Sequence, residues 1–314
     1  MNKVSGNPWV AMYTAAGLIW GSSFLFIEMA LTALTPIGVA FWRTAFGALA
    51  MAIVIVIFKS KIPTSLAVWK KMFIAGMFMS SIPFTLFAFA QTFVTSALAS
   101  IINAVTPMAT VIVMLIAFRS EKLKTHTLIG LIIGLFGVLV VLGVWQGIGE
   151  SEPIAIVALF VAITCYGIGT PYVRKNIAPL GIGIEVSVFG QVGTAAITLL
   201  PIYLLSGEYL VATPSLEAIG SVIAIGTLGS GVAYLLFYRL IDVLGSAVAA
   251  TVTYITPIIA VILGVVILNE ELHWYEPIGG LIIIIGAAIS QGSILALFRA
   301  RPKGIEQPRT KQDA

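Results

Sequence analysis

The chain alternates long apolar stretches with short polar ones. Apolar runs long enough to cross a bilayer, about 17–25 residues each, fall at 9–31, 36–58, 69–90, 95–118, 127–145, 153–174, 181–205, 216–238, 246–268 and 277–298. The pattern predicts an all-α polytopic membrane protein with ten transmembrane helices and short connections. Residues 299–314 are polar and basic and read as a disordered cytoplasmic tail. Composition agrees: 59% of residues are hydrophobic and 10% charged, whereas soluble domains carry roughly 25% charge. Lipid is the expected solvent, and the runs leave no space for a soluble domain.

Charge sets the expected orientation. With the N-terminus in the cytoplasm, Lys3, Lys59, Lys61, Lys70, Lys71, Arg119, Lys122, Lys124, Arg174, Lys175, Arg239 and the basic tail fall on the cytoplasmic side. Glu150, Glu152, Glu208, Glu217, Glu270, Glu271 and Glu276 fall on the opposite side, where no Lys or Arg stands. This is the positive-inside pattern, so a pI near 9.2 reports orientation and argues against a nucleic-acid partner. The stretch after Lys3 is too long for a secretory signal and has no small-residue cleavage pattern, so it reads as a retained first helix. Both termini are then expected in the cytoplasm.

The sequence also repeats. "SALASIINAVTP" at 96–107 returns as "SAVAATVTYITP" at 246–257. The same spacing pairs Gly76 with Gly226, Ser80 with Ser230 and Phe87 with Phe237; a spacing shorter by one pairs Glu121 with Glu270, Gly130 with Gly279 and Gly137 with Gly286. Trp20-Gly21 aligns with Tyr166-Gly167, and Pro36-x-Gly38 with Pro179-x-Gly181. The expected halves are 9–145 and 153–298. Each holds five helices, an odd number, so the second enters the membrane from the opposite side; this explains why "EKLKTH" is basic and its copy "EELHWY" is not. Inverted repeats supply two near-equivalent conformations, one open to each side.

These motifs, with Arg43 in the second helix, resemble the EamA family of the drug/metabolite transporter superfamily over nearly the whole chain. The resemblance implies ten helices around a central cavity, location in the cell inner membrane, and export of amino acids or other small metabolites. Val186 stands where the second half would repeat Arg43, so the halves are not equivalent in function.

Several residues are candidates for a role in transport. Pro107 and Pro257 each lie about 16 Å into their helices, from opposite sides. A proline frees a carbonyl one turn earlier, around Asn103 and Thr253. Two readings fit: a cavity in which Asn103, Thr106, Thr253 and Thr256 offer hydrogen bonds to a solute, or a plain kink satisfied by neighbouring helices. Trp20 and Tyr166 also sit at mid-membrane, with Tyr13 on the same face as Trp20 and Tyr254 a lesser candidate; they read either as cavity walls or as helix packing. Pro83, beside Ser80-Ser81, and Gly229-Ser230-Gly231 mark points where helices could bend. Glu28 and Arg43 are charges inside predicted spans, which cost about 2.5–3.5 kcal/mol each on insertion scales. An ion pair across the "TALTP" turn is the expected arrangement, as a clamp or gate, with direct solute or proton binding as the alternative. Glycines spaced by four at 17 and 21, 130 and 134, and 143 and 147 are expected to let helices approach closely.

Other classes lack their chemistry. His126 and His273 are expected in loops and Asp242 and Asp313 outside the spans, so no Ser-His pair or facing aspartates can form in the membrane. No metal-ligand cluster and no GxxxxGK[ST] phosphate loop occurs, so neither a metal nor a nucleotide cofactor is expected. A buried Cys165 is a packed thiol. The partners expected are a small-molecule substrate and the lipid bilayer. The sequence reads as a secondary transporter of neutral or zwitterionic solutes, the alternatives being nucleotide-sugar-like or drug-like solutes, or a channel.

Overall fold

A computed structural model describes residues 8–118, 125–146, 153–207 and 209–290. Among them ten helical segments follow one another: α1 (Trp9–Leu31), α2 (Pro36–Phe58), α3 (Leu66–Ala90), α4 (Ser96–Ala117), α5 (Thr125–Val141), α6 (Pro153–Leu180), α7 (Ile184–Ser206), α8 (Leu216–Leu244), α9 (Ser246–Leu268) and α10 (Tyr275–Ile289). Eight are long and apolar enough to cross a membrane, and α5 and α10 are shorter apolar helices. The protein is therefore a polytopic, multi-pass membrane protein. The expected tail at 299–314, the basic loop residues Arg119, Lys122 and Lys124, the paired Glu121, the external Glu150, Glu152 and Glu208, and Gly147 lie outside the described residues.

Two helices overrun the ends expected from charge. α6 continues past Arg174 and Lys175, and α8 past Arg239 and Asp242, because these side chains occupy the exposed face of turns whose other face stays buried. Asp242 is thus helical, and His126 lies in the first turn of α5. Pro171 lies inside α6 and a π-helical stretch follows at Val173–Ile177, so the rod continues past the proline. The turn between α1 and α2 is closed by Thr35, whose hydroxyl accepts the Gly38 amide ahead of Pro36 in the first turn.

Four helices depart from regular α geometry near their middles. α3 turns π-helical at Met77–Ser81 and α8 at Ile225–Val232. Pro83 opens the regular helix that follows the first of these. α4 is interrupted at Ala104 and Val105 before Pro107, and α9 tightens to a 3-10 turn at Thr251–Tyr254 before Pro257. Met79 of the first stretch, Asn103 and Thr106 on either side of the α4 interruption and Thr253 of the 3-10 turn line the site described below, and the α8 stretch ends one residue before Ala233 and Tyr234, of which Tyr234 joins them.

Close backbone approach joins the rods. A Cβ on Gly21 of α1 would lie 2.6 Å from Ile259 of α9, one on Gly167 of α6 would lie 2.9 Å from the Ala109 backbone of α4, and one on Gly137 of α5 would lie 2.7 Å from the Ile283 amide of α10. Gly143 lies beyond the helical part of α5 at φ +56°, against the Tyr275 ring, so it shapes a turn rather than a helix-packing stripe.

Candidate functional site

A cavity of about 60 Å³ lies between α1, α2, α3, α4, α6, α8 and α9. Its walls are Trp20, Ser23, Phe24, Ile27, Arg43, Met79, Phe87, Asn103, Thr106, Tyr166, Thr170, Tyr234, Phe237, Ala250 and Thr253. At about 10–15 Å³ per water, 60 Å³ holds about four to six waters, the size of a very small solute. Of the residues singled out from sequence, Trp20, Arg43, Asn103, Thr106, Tyr166 and Thr253 meet here. Tyr13, Tyr254 and Thr256 do not. The Tyr13 hydroxyl donates to Thr251 Oγ1 at 2.6 Å, beyond the wall. Tyr254 packs against the core, with its hydroxyl buried and without a hydrogen-bond partner among the described residues.

Of the two readings of the prolines, the hydrogen bonds match a kink satisfied within the protein. The carbonyls that the prolines leave without an amide donor, those of Asn103 and Thr253, do not open to the cavity. The Thr106 hydroxyl donates to the Asn103 carbonyl at 2.7 Å, and the Thr256 hydroxyl to the Thr253 carbonyl at 2.8 Å. Each Thr-Pro pair repairs its own break, which is why Thr256 is fully buried and faces no solute. Thr106 Oγ1 also approaches Asn103 Oδ1 at 3.1 Å, leaving the Asn103 amide nitrogen without a protein partner among the described residues.

The π-helical stretches are fastened across the bundle. Trp20 Nε1 donates to the Gly229 carbonyl at 2.9 Å, and the Tyr234 hydroxyl donates to the Met79 carbonyl. One residue further on in each stretch, Arg43 Nε donates to Ser230 Oγ at 2.9 Å and Gln191 Nε2 donates to Ser80 Oγ at 2.8 Å. Gln191 also accepts the Tyr238 hydroxyl, so both ends of its amide are used. Sequence reasoning passed over Gln191; its signal was an amide alone in an apolar run opposite a repeated serine.

The expected Glu28–Arg43 ion pair is absent: each charge has its own partners. The Arg43 guanidinium stacks on Phe84, with Cζ 3.6 Å from the ring centroid. Glu28 Oε2 accepts Gln91 Nε2 at 3.3 Å, and the same Gln91 nitrogen donates to the Phe24 carbonyl at 3.0 Å. Arg43 enters more than a turn below the α1–α2 connection, whereas Glu28 faces a second space near that end of the bundle. This vestibule, about 740 Å³, is lined by Glu28, Gln91, Thr95, Glu217 and Glu270 among others. The edge-to-face pair Phe24–Phe87, with centroids 5.8 Å apart, belongs to the wall of the central cavity, and the Phe24 carbonyl accepts Gln91 Nε2 from the vestibule lining. At the vestibule rim Glu270 caps the start of α4, accepting the Ser96 amide at 2.8 Å and the Ala97 amide at 3.0 Å.

No group of three or more His, Cys, Asp or Glu suited to a metal occurs among the described residues. A model of the EamA-like transporter family matches residues 7–143 and again 153–291. The chain belongs to the EamA-like transporter family. Its similarity to curated proteins is distant but long. An uncharacterized transporter of Archaeoglobus fulgidus is 23% identical over 86% of this chain and 94% of its own. The uncharacterized inner membrane transporter YedA of Escherichia coli is 24% identical over 91% and 90%. An uncharacterized transporter of Clostridium kluyveri is 26% identical over 70% and 71%. A chain of known crystal structure superposes with a TM-score of 0.66 over 91% of this EamA-like chain and 99% of its own, at 18% identity, which speaks for the fold alone. The chain is thus a membrane transporter of this family, with the cavity among seven of its helices.

Proposed function

We propose that this EamA-like protein is a secondary transporter of the inner membrane that exports small amino acids or related zwitterionic metabolites by alternating access between two inverted five-helix halves. The observation that carries the reading is the composition of the cavity wall. Repeat counterparts meet in it: Trp20 with Tyr166, Phe87 with Phe237, and Asn103 with Thr253. A site built from equivalent positions of both halves is what a carrier needs if the halves exchange roles between two states.

Helix packing supports the same symmetry. Gly21 on Ile259 is matched by Gly167 on Ala109, and Gly137 on Gly279 by Gly286 on Gly130. Each contact passes into the other under the sequence repeat. The distribution of Lys and Arg supports both termini in the cytoplasm and the vestibule on the outer side. Phe24 and Phe87 line the cavity while Gln91, bonded to the Phe24 carbonyl, lines the vestibule, an arrangement that fits a closed outer path.

Aromatic faces, hydroxyls, an amide and one guanidinium suit a small solute with both a polar head and an apolar body. The test is counterflow of labelled L-alanine, L-serine, L-threonine and L-leucine into proteoliposomes with no imposed gradient. Saturable accumulation of one of them supports a carrier of this class. Absence of accumulation with or without a proton gradient, by protein shown to be folded, refutes amino-acid export. Single-channel currents would refute the carrier mechanism.

A further inference from the structure

We propose that Arg43 is the anion receptor of the central cavity and that the transported solute carries a single carboxylate which its guanidinium fork receives. The inference rests on the transporter reading above and narrows its substrate class.

Arg43 is 5% exposed and lines the cavity. Its known contacts use one edge and one face: Nε is held by Ser230, and the plane lies on Phe84. No carboxylate of the described residues lies within 4.0 Å of it. The acid nearest in sequence, Glu28, is instead bonded to Gln91. Among the described residues Ser230 Oγ is the one acceptor bonded to the guanidinium, so its two terminal nitrogens keep N–H donors for a ligand.

The opposite half shows what a purely structural side chain looks like here. Gln191 meets Ser80 as Arg43 meets Ser230, but its oxygen is also taken, by Tyr238, and it is fully buried and absent from the cavity wall. A neutral amide completes the structural contact. A guanidinium does so with a charged fork left over, and that remainder faces the cavity.

The chemistry of the fork selects the ligand. Two parallel N–H donors match the two oxygens of a carboxylate, and the fixed plane removes most of the ordering cost. No second Arg, Lys or His lines the cavity, so one negative charge is balanced and a phosphate dianion is not. An ammonium on the same solute would meet the faces of Trp20 and Tyr166 and the hydroxyl oxygens, not a carboxylate.

The experiment compares isosteres. Thermal stabilisation of the purified full-length protein in detergent is titrated with L-alanine, L-alaninamide, propionate, propylamine and inorganic phosphate, for wild type, Arg43→Lys and Arg43→Gln. The expected result is binding of L-alanine at least tenfold tighter than L-alaninamide, and of propionate over propylamine. That preference falls severalfold in Arg43→Lys and disappears in Arg43→Gln. Equal affinity for acid and amide in wild type overturns the proposal, as does a preference that survives in Arg43→Gln. Phosphate binding tighter than propionate, or no stabilisation by any probe, also overturns it. If Arg43→Gln does not fold, the wild-type comparison and Arg43→Lys decide. Counterflow separates the two readings: equal exchange of L-alanine and L-alaninamide leaves a transporter and removes the Arg43 role, whereas selective carboxylate binding without flux removes the transporter and keeps Arg43.

Discussion

Trp20 on α1 donates its indole N–H to the carbonyl of Gly229, inside the π-helical stretch of α8, at 2.9 Å. The same ring packs edge-to-face on Tyr234 and Phe237, 5.3 and 4.9 Å between centroids. Wall and fastening are thus one side chain, and substitution separates them. Trp20→Phe keeps an aromatic wall and strands the Gly229 carbonyl, which costs about 1–2 kcal/mol of stability. Trp20→Ala removes the wall as well and is expected to reduce transport at least tenfold in proteoliposomes. Thermal unfolding and flux assays on both variants check this; unchanged flux in Trp20→Ala would remove the residue from the solute path.

Glu28 and Arg43 have separate partners, so their losses are expected to add. In a double-mutant cycle, Glu28→Gln and Arg43→Gln should combine with a coupling below about 0.5 kcal/mol, in flux as in stability. A clamp between them would make the double variant better than the sum, and that outcome would mean they pair in another state of the cycle.

Thr106 and Thr256 hold carbonyls that their prolines leave bare. Thr256→Val keeps the shape and removes the donor, at an expected cost of about 1–2 kcal/mol, whereas Thr256→Ser restores most of it. Thr106→Val carries the same stability cost and also alters the cavity wall, so it alone of the two should raise KM. Equal KM changes would place Thr256 closer to the solute than the structure does.

The α5–α10 contact leaves no space for a methyl group. Gly137→Ala puts a Cβ 2.7 Å from the Ile283 amide, and Gly286→Ala one at 2.4 Å from that of Gly134. Each should destabilise by about 1–3 kcal/mol and lower the amount of folded protein without changing KM. Gly193→Ala on α7, whose new Cβ meets nothing within 4 Å beyond its own chain neighbours and helix backbone among the described residues, should be neutral or stabilising by up to about 1 kcal/mol. Melting temperatures of the three variants test the contrast.

Length and apolarity of the runs made the rods legible, because lipid leaves a chain few alternatives to helices. Their ends were less legible: Arg174, Lys175, Arg239 and Asp242 look like termini in sequence, yet sit on exposed faces of continuing turns. Within the site, Trp20 and Tyr166 stood out as aromatics placed far from an interface, and Asn103 and Thr253 through the repeat. Ser80-Ser81 before Pro83 and Gly229-Ser230-Gly231 marked where α3 and α8 turn π-helical, but not the form of the departure, since a shifted hydrogen-bond register has no composition of its own. The Glu28–Arg43 pair failed because nearness along a turn does not decide which way two helical side chains face. Phe24 was hidden among equally apolar residues that face lipid, whereas Ile27 falls seven residues after Trp20 on the same helix face.

The reciprocal bonds between Met79 and Tyr234, and between Ser80 and Gln191, also have a meaning in time. Met79 leaves the ribosome 155 residues ahead of Tyr234, which at about 5–20 residues per second is an interval of roughly eight to thirty seconds. Ser80 precedes Gln191 by 111 residues and Arg43 precedes Ser230 by 187, so all three partners come late. The first half of the chain is therefore an unfinished object until the second arrives, and its survival in the membrane depends on how quickly synthesis and insertion deliver α7 and α8.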